Sequence, residues 1–139
     1  RVQRVVGYLP KRMPFLGKKV ELVNDIQPGT SITANGSLLA WSIENLIRNG
    51  IDAIDRDDGK VSVSLRKEKD DIRIRIQDNG KGIPKKDWRN IFRPGFSTKR
   101  AGWGLGLSLS SRIVEDIHNG QLQVIESSPE TGTIIEIKL

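Results

Sequence analysis

The chain has 139 residues, one histidine, no cysteine and a net charge of +6. This length favours a single domain of roughly 100–200 residues, and the absence of cysteine excludes disulfide scaffolds, thiolate metal sites and cysteine nucleophiles. One histidine argues against a Ser-His-Asp triad. The basic balance leaves nucleic acid or an anionic ligand as the first candidates.

The positive charge is concentrated in two segments. Residues 1–20 hold six basic and no acidic residues, and residues 81–100 hold seven against one, so each carries +6. A general nucleic-acid-binding surface interleaves basic residues with exposed aromatics, whereas aromatics make up only 5% of this chain. We therefore expect no nucleic-acid partner.

No apolar run approaches the ~20 residues of a membrane-spanning helix, and no secretory hydrophobic region is present. The chain begins at Arg1, and Met13 is the only methionine. We interpret the sequence as part of a longer cytoplasmic protein, and leave membrane anchorage of that protein open. Residues 1–17 are expected to be a leading segment from an upstream domain, and residues 18–139 to be the domain itself.

Apolar spacing predicts the elements of the first half of the chain. Alternation over 19–24 predicts a strand. From 37 to 54 the apolar residues recur at helical spacing. Two further alternating stretches, 60–67 and 72–78, predict a hairpin.

The second half begins with glycines and prolines that interrupt the pattern. A short helical stretch is predicted around Trp88, followed by a long mobile loop over 94–104. A second amphipathic helix is predicted over 105–118, with Gly120 as its C-cap. Its inward residues are expected to be Leu105, Leu109, Ile113, Val114 and Ile117. A closing hairpin over 121–126 and 133–139 completes an α+β sandwich, a mixed sheet of about five strands with helices on one face.

Asn45 and Asn49 stand at i and i+4 of the first helix, so their amides project from one face. Asparagine is unfavourable within helices because its side chain competes for backbone hydrogen bonds. Two readings are open: a solvent-facing polar strip, or coordination of Mg²⁺, which takes one or two protein oxygens and fills its other positions with water and phosphates.

Two glycine-rich turns are candidate ligand loops. The first, Asp78-Asn79-Gly80-Lys81-Gly82-Ile83, directly follows a strand, so its carboxylate could accept a hydrogen bond from an exocyclic amine such as that of adenine. Taken alone it also fits an ordinary Asp-Asn-Gly turn. The second, residues 102–107, leads into a helix whose N-terminus favours an anion. It matches neither a Walker A loop nor the dinucleotide fingerprint.

Together these motifs, in this order, resemble the catalytic ATP-binding domain of sensor histidine kinases. That domain belongs to a superfamily shared with DNA gyrase B subunits, heat-shock chaperone ATPases and mismatch-repair ATPases. The resemblance covers residues ~18–139, and it implies the Bergerat fold with a mobile ATP lid over 94–104. The matching segments are the N box Glu44–Asn49, the first glycine box Asp78–Gly82, the F box Ile91–Lys99, the second glycine box Gly102–Gly106 and the final Thr131–Thr133.

The resemblance implies a role for each matched residue. Asn49 is expected to ligate Mg²⁺, Asn45 to lie beside the phosphates, and Asp78 to bind the adenine amino group. The other cofactor-binding positions it implies are Gly80, Gly82, Ile83, Lys99, Gly102, Gly104, Leu105, Gly106 and Thr133. The catalytic set comprises Glu44, Asn45 and Lys99. Glu44 is rotated about 100° from Asn45, and either binds solvent or assists as a base.

Three departures from the family pattern stand out. Gly50 replaces the usual alanine, and Gly95 stands where the F box often has an aromatic residue. No acceptor histidine is present, because His118 precedes Asn119-Gly120 at a helix end and is interpreted as a structural or surface residue. The phosphoacceptor is therefore expected upstream, on a dimerisation domain.

The predicted function is Mg-ATP binding and transfer of the γ-phosphoryl group to a histidine on that separate domain. The expected partners are the dimerisation domain and a response regulator, in a full-length homodimer. The isolated domain is expected to be monomeric and inactive without its acceptor. The alternatives are an ATPase or protein-serine kinase of the same superfamily, a non-catalytic pseudokinase module, and a basic nucleic-acid-binding domain.

Overall fold

The computed structural model describes residues 3–5, 20–26, 32–34, 36–55, 57–95 and 104–139, with side chains over 37–55, 57–95 and 107–139. The strands are β1 (Gln3–Val5), β2 (Val20–Ile26), β3 (Ile32–Ala34), β4 (Gly59–Glu68), β5 (Asp71–Asp78), β6 (Gln121–Ser128) and β7 (Gly132–Lys138). The helices are α1 (Gly36–Asp52) and α2 (Gly104–Arg112), which continues as a π-helical turn over Ile113–Ile117. Two 3₁₀ turns, Lys85–Asp87 and Asn90–Phe92, flank Trp88.

Five strands form one mixed sheet in the order β2-β4-β5-β7-β6. β2 and β4 are parallel, and the other neighbours are antiparallel. β1 and β3 form a separate two-stranded antiparallel sheet. The predicted α+β sandwich with a five-stranded mixed sheet is confirmed, whereas β3 was not predicted.

The core lies between α1 and one face of the sheet. Alternate residues of β4 are buried while those between them are more exposed, as expected for a strand with one covered face. α1 buries its apolar stripe against this face, because its spacing brings i, i+3, i+4 and i+7 to one side. The buried residues of α1 in this core are Leu39, Ile43, Leu46, Ile47 and Ile51.

The second helix presents a different face from the predicted one. Leu109 and Ile117 were expected to point inward, but they are 45% and 52% exposed. The buried positions are Ser108, Ser110, Ile113 and Val114. Leu109 points away from the core because two residues of helix rotate its side chain by about 200° from that of half-buried Leu107. Ile117 is further displaced because the π turn changes the rotation of the residues after Ile113. Leu105 has no described side chain.

The helix also ends differently from the prediction. Asn119, rather than Gly120, takes the left-handed conformation, with φ of 55°. The N–H of Gly120 donates to the carbonyl of Val114 over 2.9 Å. A Cβ at Gly120 would lie 2.4 Å from the carbonyl oxygen of Lys138, so close packing against β7 requires this glycine.

No helix in the described part of the chain is long and apolar enough to cross a membrane.

A buried carboxylate joins β5 and β7 on the face of the sheet opposite α1. Glu136 is 2% exposed. Its Oε1 accepts from Arg73 Nη1 over 3.1 Å, and its Oε2 accepts from Arg75 Nε over 2.8 Å. The two guanidinium groups offset the cost of burying this charge.

We expect Glu136→Gln to lower the free energy of unfolding by about 1–3 kcal/mol, since it removes a charge-assisted acceptor and directs an amide donor at a guanidinium group. Urea denaturation measures this change. Exposed Glu130 provides the matched control, because Glu130→Gln is expected to alter stability by less than about 0.5 kcal/mol. Equal free energies of unfolding for the two variants would show that the charge of Glu136 between Arg73 and Arg75 does not stabilise the fold.

Candidate functional site

A cavity of about 400 Å³ opens between the C-terminal half of α1, the end of β5, the start of β7 and residues 85–93. These residues contain both 3₁₀ turns and are called the 3₁₀ segment below. Its size lies within the range of small-molecule sites, about 300–1,000 Å³. Most of the wall is apolar, and a few polar side chains reach into it. The lining residues are Asn49, Gly50, Ala53, Asp78, Lys81, Gly82, Ile83, Pro84, Asp87, Ile91, Leu107, Thr133 and Ile135.

Asp78 supplies a nearly buried carboxylate at the end of β5, 6% exposed. Its Oδ1 accepts from the N–H of Gly80 over 2.8 Å, which fixes the side-chain torsion. α1 packs against the same carboxylate: a Cβ at Gly50 would lie 3.2 Å from Asp78 Cβ and 3.3 Å from Oδ2. A larger residue at position 50 must therefore displace the carboxylate, which gives this departure from the family pattern a packing reason.

Gly132 allows the start of β7 to lie against the backbone of Asp78 at the end of β5. Its φ is +87°, and an added Cβ would lie 1.9 Å from the carbonyl oxygen of Asp78. Only glycine fits this position, on both conformational and steric grounds. The close approach lets β7 pair with β5 up to the last residue, so Thr133 lies directly opposite Asp78.

A serine that the motifs did not indicate organises this end of the cavity. Ser127 Oγ lies 2.7 Å from Thr133 Oγ1. The same oxygen accepts from the N–H of Ile83 over 2.7 Å. One hydroxyl on β6 thus joins the backbone of Ile83 to Thr133, which in turn lies opposite Asp78 in the sheet. Only the pairing of the closing hairpin, which sets Ser127 opposite Thr133, could have identified it.

The two asparagines of α1 are used differently. Asn49 lines the cavity, and its Nδ2 donates to the carbonyl oxygen of Asn45 over 2.8 Å. Asn45 is buried between the helices, where its Nδ2 donates to Ser110 Oγ over 3.0 Å. Glu44 is partly exposed and is not among the residues that line the cavity.

Other predicted positions are described in part or not at all. Gly104, Leu105 and Gly106 form the first turn of α2, and only their backbone is described. Lys99, Gly102, the end of the F box and most of the predicted lid lie outside the described residues. His118 is at the end of the π turn, where Nδ1 lies 2.8 Å from the carbonyl oxygen of Ile113, in agreement with a structural role.

Among the described residues, no group of three or more His, Cys, Asp or Glu side chains is arranged to hold a metal ion. This finding concerns those four residue types alone. It leaves open the mode that Mg²⁺ prefers, in which one or two protein oxygens are completed by water and phosphate.

Comparison with known proteins identifies the family. Residues 35–139 match the model of the histidine kinase-, DNA gyrase B- and HSP90-like ATPases. Sporulation kinase C of Bacillus subtilis is 34% identical over 111 residues, covering 80% of this chain and 25% of that protein. The sensor kinase AtoS of Escherichia coli is 38% identical over 105 residues, covering 75% and 16%. The chain thus spans a quarter or less of these relatives.

Solved structures agree with this assignment. The catalytic domain of histidine kinase ThkA superposes with a TM-score of 0.76 at 26% identity, covering 86% of this chain and 78% of that domain. The mycobacterial sensor histidine kinase MprB gives the same TM-score and identity, covering 86% and 80%. With the motifs and the cavity above, these matches show that the chain belongs to the histidine kinase-, gyrase- and HSP90-like ATPase family, as an ATP-binding catalytic domain of the histidine kinase type.

Proposed function

We propose that the domain, residues 18–139, binds Mg-ATP in this cavity and transfers the γ-phosphoryl group to a histidine on a separate domain of its parent protein. The observation that carries the proposal is the convergence of Asp78, Thr133 and Asn49 on one apolar-walled cavity. The carboxylate serves as a base-recognition group, and the asparagine marks the phosphate end.

At the adenine end, Asp78 would accept a hydrogen bond from the exocyclic amine. Its Oδ1 already accepts from Gly80, and the packing of Gly50 against Oδ2 holds the carboxylate in one rotamer. A preorganised acceptor costs little entropy on binding. Ile83, Ile91 and Ile135 line the cavity and supply apolar surface for a flat base. Gly82 and Thr133 would complete the base-binding wall.

At the phosphate end, Asn49 would supply a protein oxygen to Mg²⁺. Because Nδ2 donates to the Asn45 carbonyl, Oδ1 is turned to the opposite side of the amide. When bound, the metal ion neutralises phosphate charge and orients the triphosphate. The first turn of α2, with Gly104, Leu105 and Gly106, offers backbone N–H groups and a favourable helix dipole. Lys99 and Gly102 belong to this end by family resemblance.

Phosphoryl transfer depends mainly on positioning and charge stabilisation. Asn45 contributes by fixing the geometry between α1 and α2 through Ser110. Glu44 remains the candidate base, and its partial exposure keeps it accessible to an incoming acceptor. The acceptor histidine would belong to an upstream helical dimerisation domain. Since ThkA has been solved with the response regulator TrrA, we propose that a response regulator takes the phosphoryl group from that histidine.

The test is to combine this domain with the histidine-bearing domain of the parent protein and ATP labelled on the γ-phosphate. We expect label on the acceptor domain as an acid-labile, base-stable phosphoramidate. Release of inorganic phosphate without labelled protein would favour an ATPase. Acid-stable label would indicate a serine kinase, and binding without turnover would indicate a pseudokinase.

Asp78→Asn is expected to weaken ATP binding about tenfold or more, because it replaces a charged acceptor worth roughly 1.5–3 kcal/mol while preserving the shape of the side chain. Isothermal titration calorimetry measures the change. Exposed Asp116 is the control, since Asp116→Asn should leave the affinity unchanged. Equal affinities for ATP in the two variants would remove Asp78 from the adenine site.

Asn49→Ala is expected to raise the Mg²⁺ concentration needed for half-maximal ATP binding several-fold, with binding in EDTA nearly unchanged. The loss is that of one metal ligand, since the other ligands of Mg²⁺ are mostly water and phosphate. Asn90→Ala is a matched control, because Asn90 Nδ2 also donates to the carbonyl four residues earlier, over 3.2 Å. A Mg²⁺ titration that is the same for both variants would contradict the assignment.

A further inference from the structure

A second groove, of about 630 Å³, lies on the other side of the 3₁₀ segment from the nucleotide cavity. Asp87 and Ile91 of this segment line the nucleotide cavity, whereas their neighbours Trp88 and Phe92 line the groove. The opposite walls come from the end of the second helix and the start of β6. The groove residues are Lys85, Lys86, Trp88, Arg89, Asn90, Phe92, Arg93, Ser111, Glu115, Leu122, Gln123 and Val124.

The groove is strongly basic. Lys85, Lys86, Arg89 and Arg93 are all exposed, and none forms an ion pair with another residue in the part of the chain that the structure describes. The single acidic lining residue, Glu115, accepts a hydrogen bond from Ser111 Oγ over 3.0 Å. Four cations against one carboxylate make this surface complementary to an anionic partner.

The groove also follows the edge of the sheet. It contacts three consecutive residues of β6, Leu122, Gln123 and Val124. Because successive side chains of a strand point to opposite faces, a groove that meets all three lies at the strand's edge. Within the described residues, β6 is the last strand of its sheet and pairs only with β7. Its outer main-chain N–H and C=O groups are therefore available to an added strand.

The two aromatic residues of the groove, Trp88 and Phe92, are partly buried and packed against the hydrophobic core, so they do not form an open platform for nucleobases. The indole N–H of Trp88 donates to the carbonyl of Ile83 over 2.9 Å, which ties the ring to the segment. Lys85 Nζ lies over the same ring, 5.8 Å from its centroid. Binding of single-stranded nucleic acid relies on open aromatic faces beside the basic groove, so this arrangement favours a polypeptide over a nucleic acid.

We propose that the groove docks an acidic, extended segment of a partner protein, which adds as a strand along β6 while its carboxylates pair with Lys85, Lys86, Arg89 and Arg93. Main-chain hydrogen bonds would supply a sequence-independent part of the affinity, and the four cations would select an acidic segment. This surface does not depend on the proposed kinase activity, because none of its residues binds ATP in that proposal.

The probe is a capped peptide of alternating Glu and Thr about ten residues long, which is the length of a long strand. Titrated into isotope-labelled domain saturated with Mg-ATP, it should shift amide resonances at residues 85–93 and 121–125. A peptide of alternating Lys and Thr should not bind. The Glu-Thr peptide methylated at every main-chain nitrogen should bind about tenfold more weakly, because it cannot pair as a strand.

Charge reversal tests the basic wall. The double variant Lys86→Glu/Arg89→Glu should weaken binding of the Glu-Thr peptide about tenfold or more, since each reversed charge turns attraction into repulsion. Lys67→Glu/Lys69→Glu, at the β4–β5 turn, changes the net charge equally and should bind like the unaltered domain. Far-ultraviolet circular dichroism and ATP binding verify that both variants are folded.

Four outcomes would overturn the proposal. They are equal weakening in both double variants, undiminished binding of the methylated peptide, resonance shifts confined to residues 94–106, and binding of a thymidine oligonucleotide of equal charge as tightly as the peptide. Concentration-dependent self-association that is abolished by Lys86→Glu/Arg89→Glu would instead assign the groove to a second copy of this chain.

Discussion

The site depends on the contact between the C-terminal half of α1 and the end of β5. A Cβ at Gly50 would come within 3.3 Å of the Asp78 carboxylate. The backbone of the helix therefore packs directly against the side chain of Asp78 on the strand. This contact buries the Asp78 carboxylate beside an apolar wall. A hydrogen bond from a ligand to the carboxylate is stronger there than in water, because the local dielectric constant is lower. Packing of the apolar stripe of α1 on the sheet sets the distance between α1 and the end of β5, and Gly50 permits this distance because it has no side chain.

A second close contact, between Gly132 of β7 and the end of β5, forms another side of the site. Gly132 allows β7 to run against β5 to its last residue, which brings Thr133 opposite Asp78. Ser127 on β6 then ties Thr133 to the backbone of Ile83. Three consecutive strands of the sheet, β5, β7 and β6, thus converge on one small volume. Their register is therefore a condition for the site, because slipping any strand by one residue would turn these side chains to the other face.

The 3₁₀ segment is a shared wall between two concave surfaces. Ile91 is buried toward the nucleotide cavity, while the four exposed cations of the same segment border the groove along β6. Because this segment borders both surfaces, a ligand that displaces it from one side would also change the other side. By linkage, any such coupling would be reciprocal.

The sequence alone predicted β2, the first helix, both hairpins and the positions of the glycine turns, whereas it did not predict β3. These features depend on local periodicity and on backbone conformations that only glycine adopts readily, so a single stretch of residues carries each signal. Through its local motifs, which resemble those of a known family, it also indicated five residues that line the cavity: Asn49, Asp78, Gly82, Ile83 and Thr133. Helical spacing, in contrast, predicted only that Asn45 and Asn49 form a pair on one face of the helix.

Only the tertiary structure separated that pair. Asn45 bonds to Ser110, 65 residues away in the sequence, while Asn49 faces the cavity. Packing of the helices on the sheet likewise decided which face of α2 is buried. Strand pairing brought Ser127 to its two hydrogen-bond partners. It also placed Glu136 between Arg73 and Arg75, which are 63 and 61 residues away in the sequence. Such contacts depend on how the helices pack on the sheet and on strand register. Local residue patterns predict neither, because both involve residues that are far apart in the sequence.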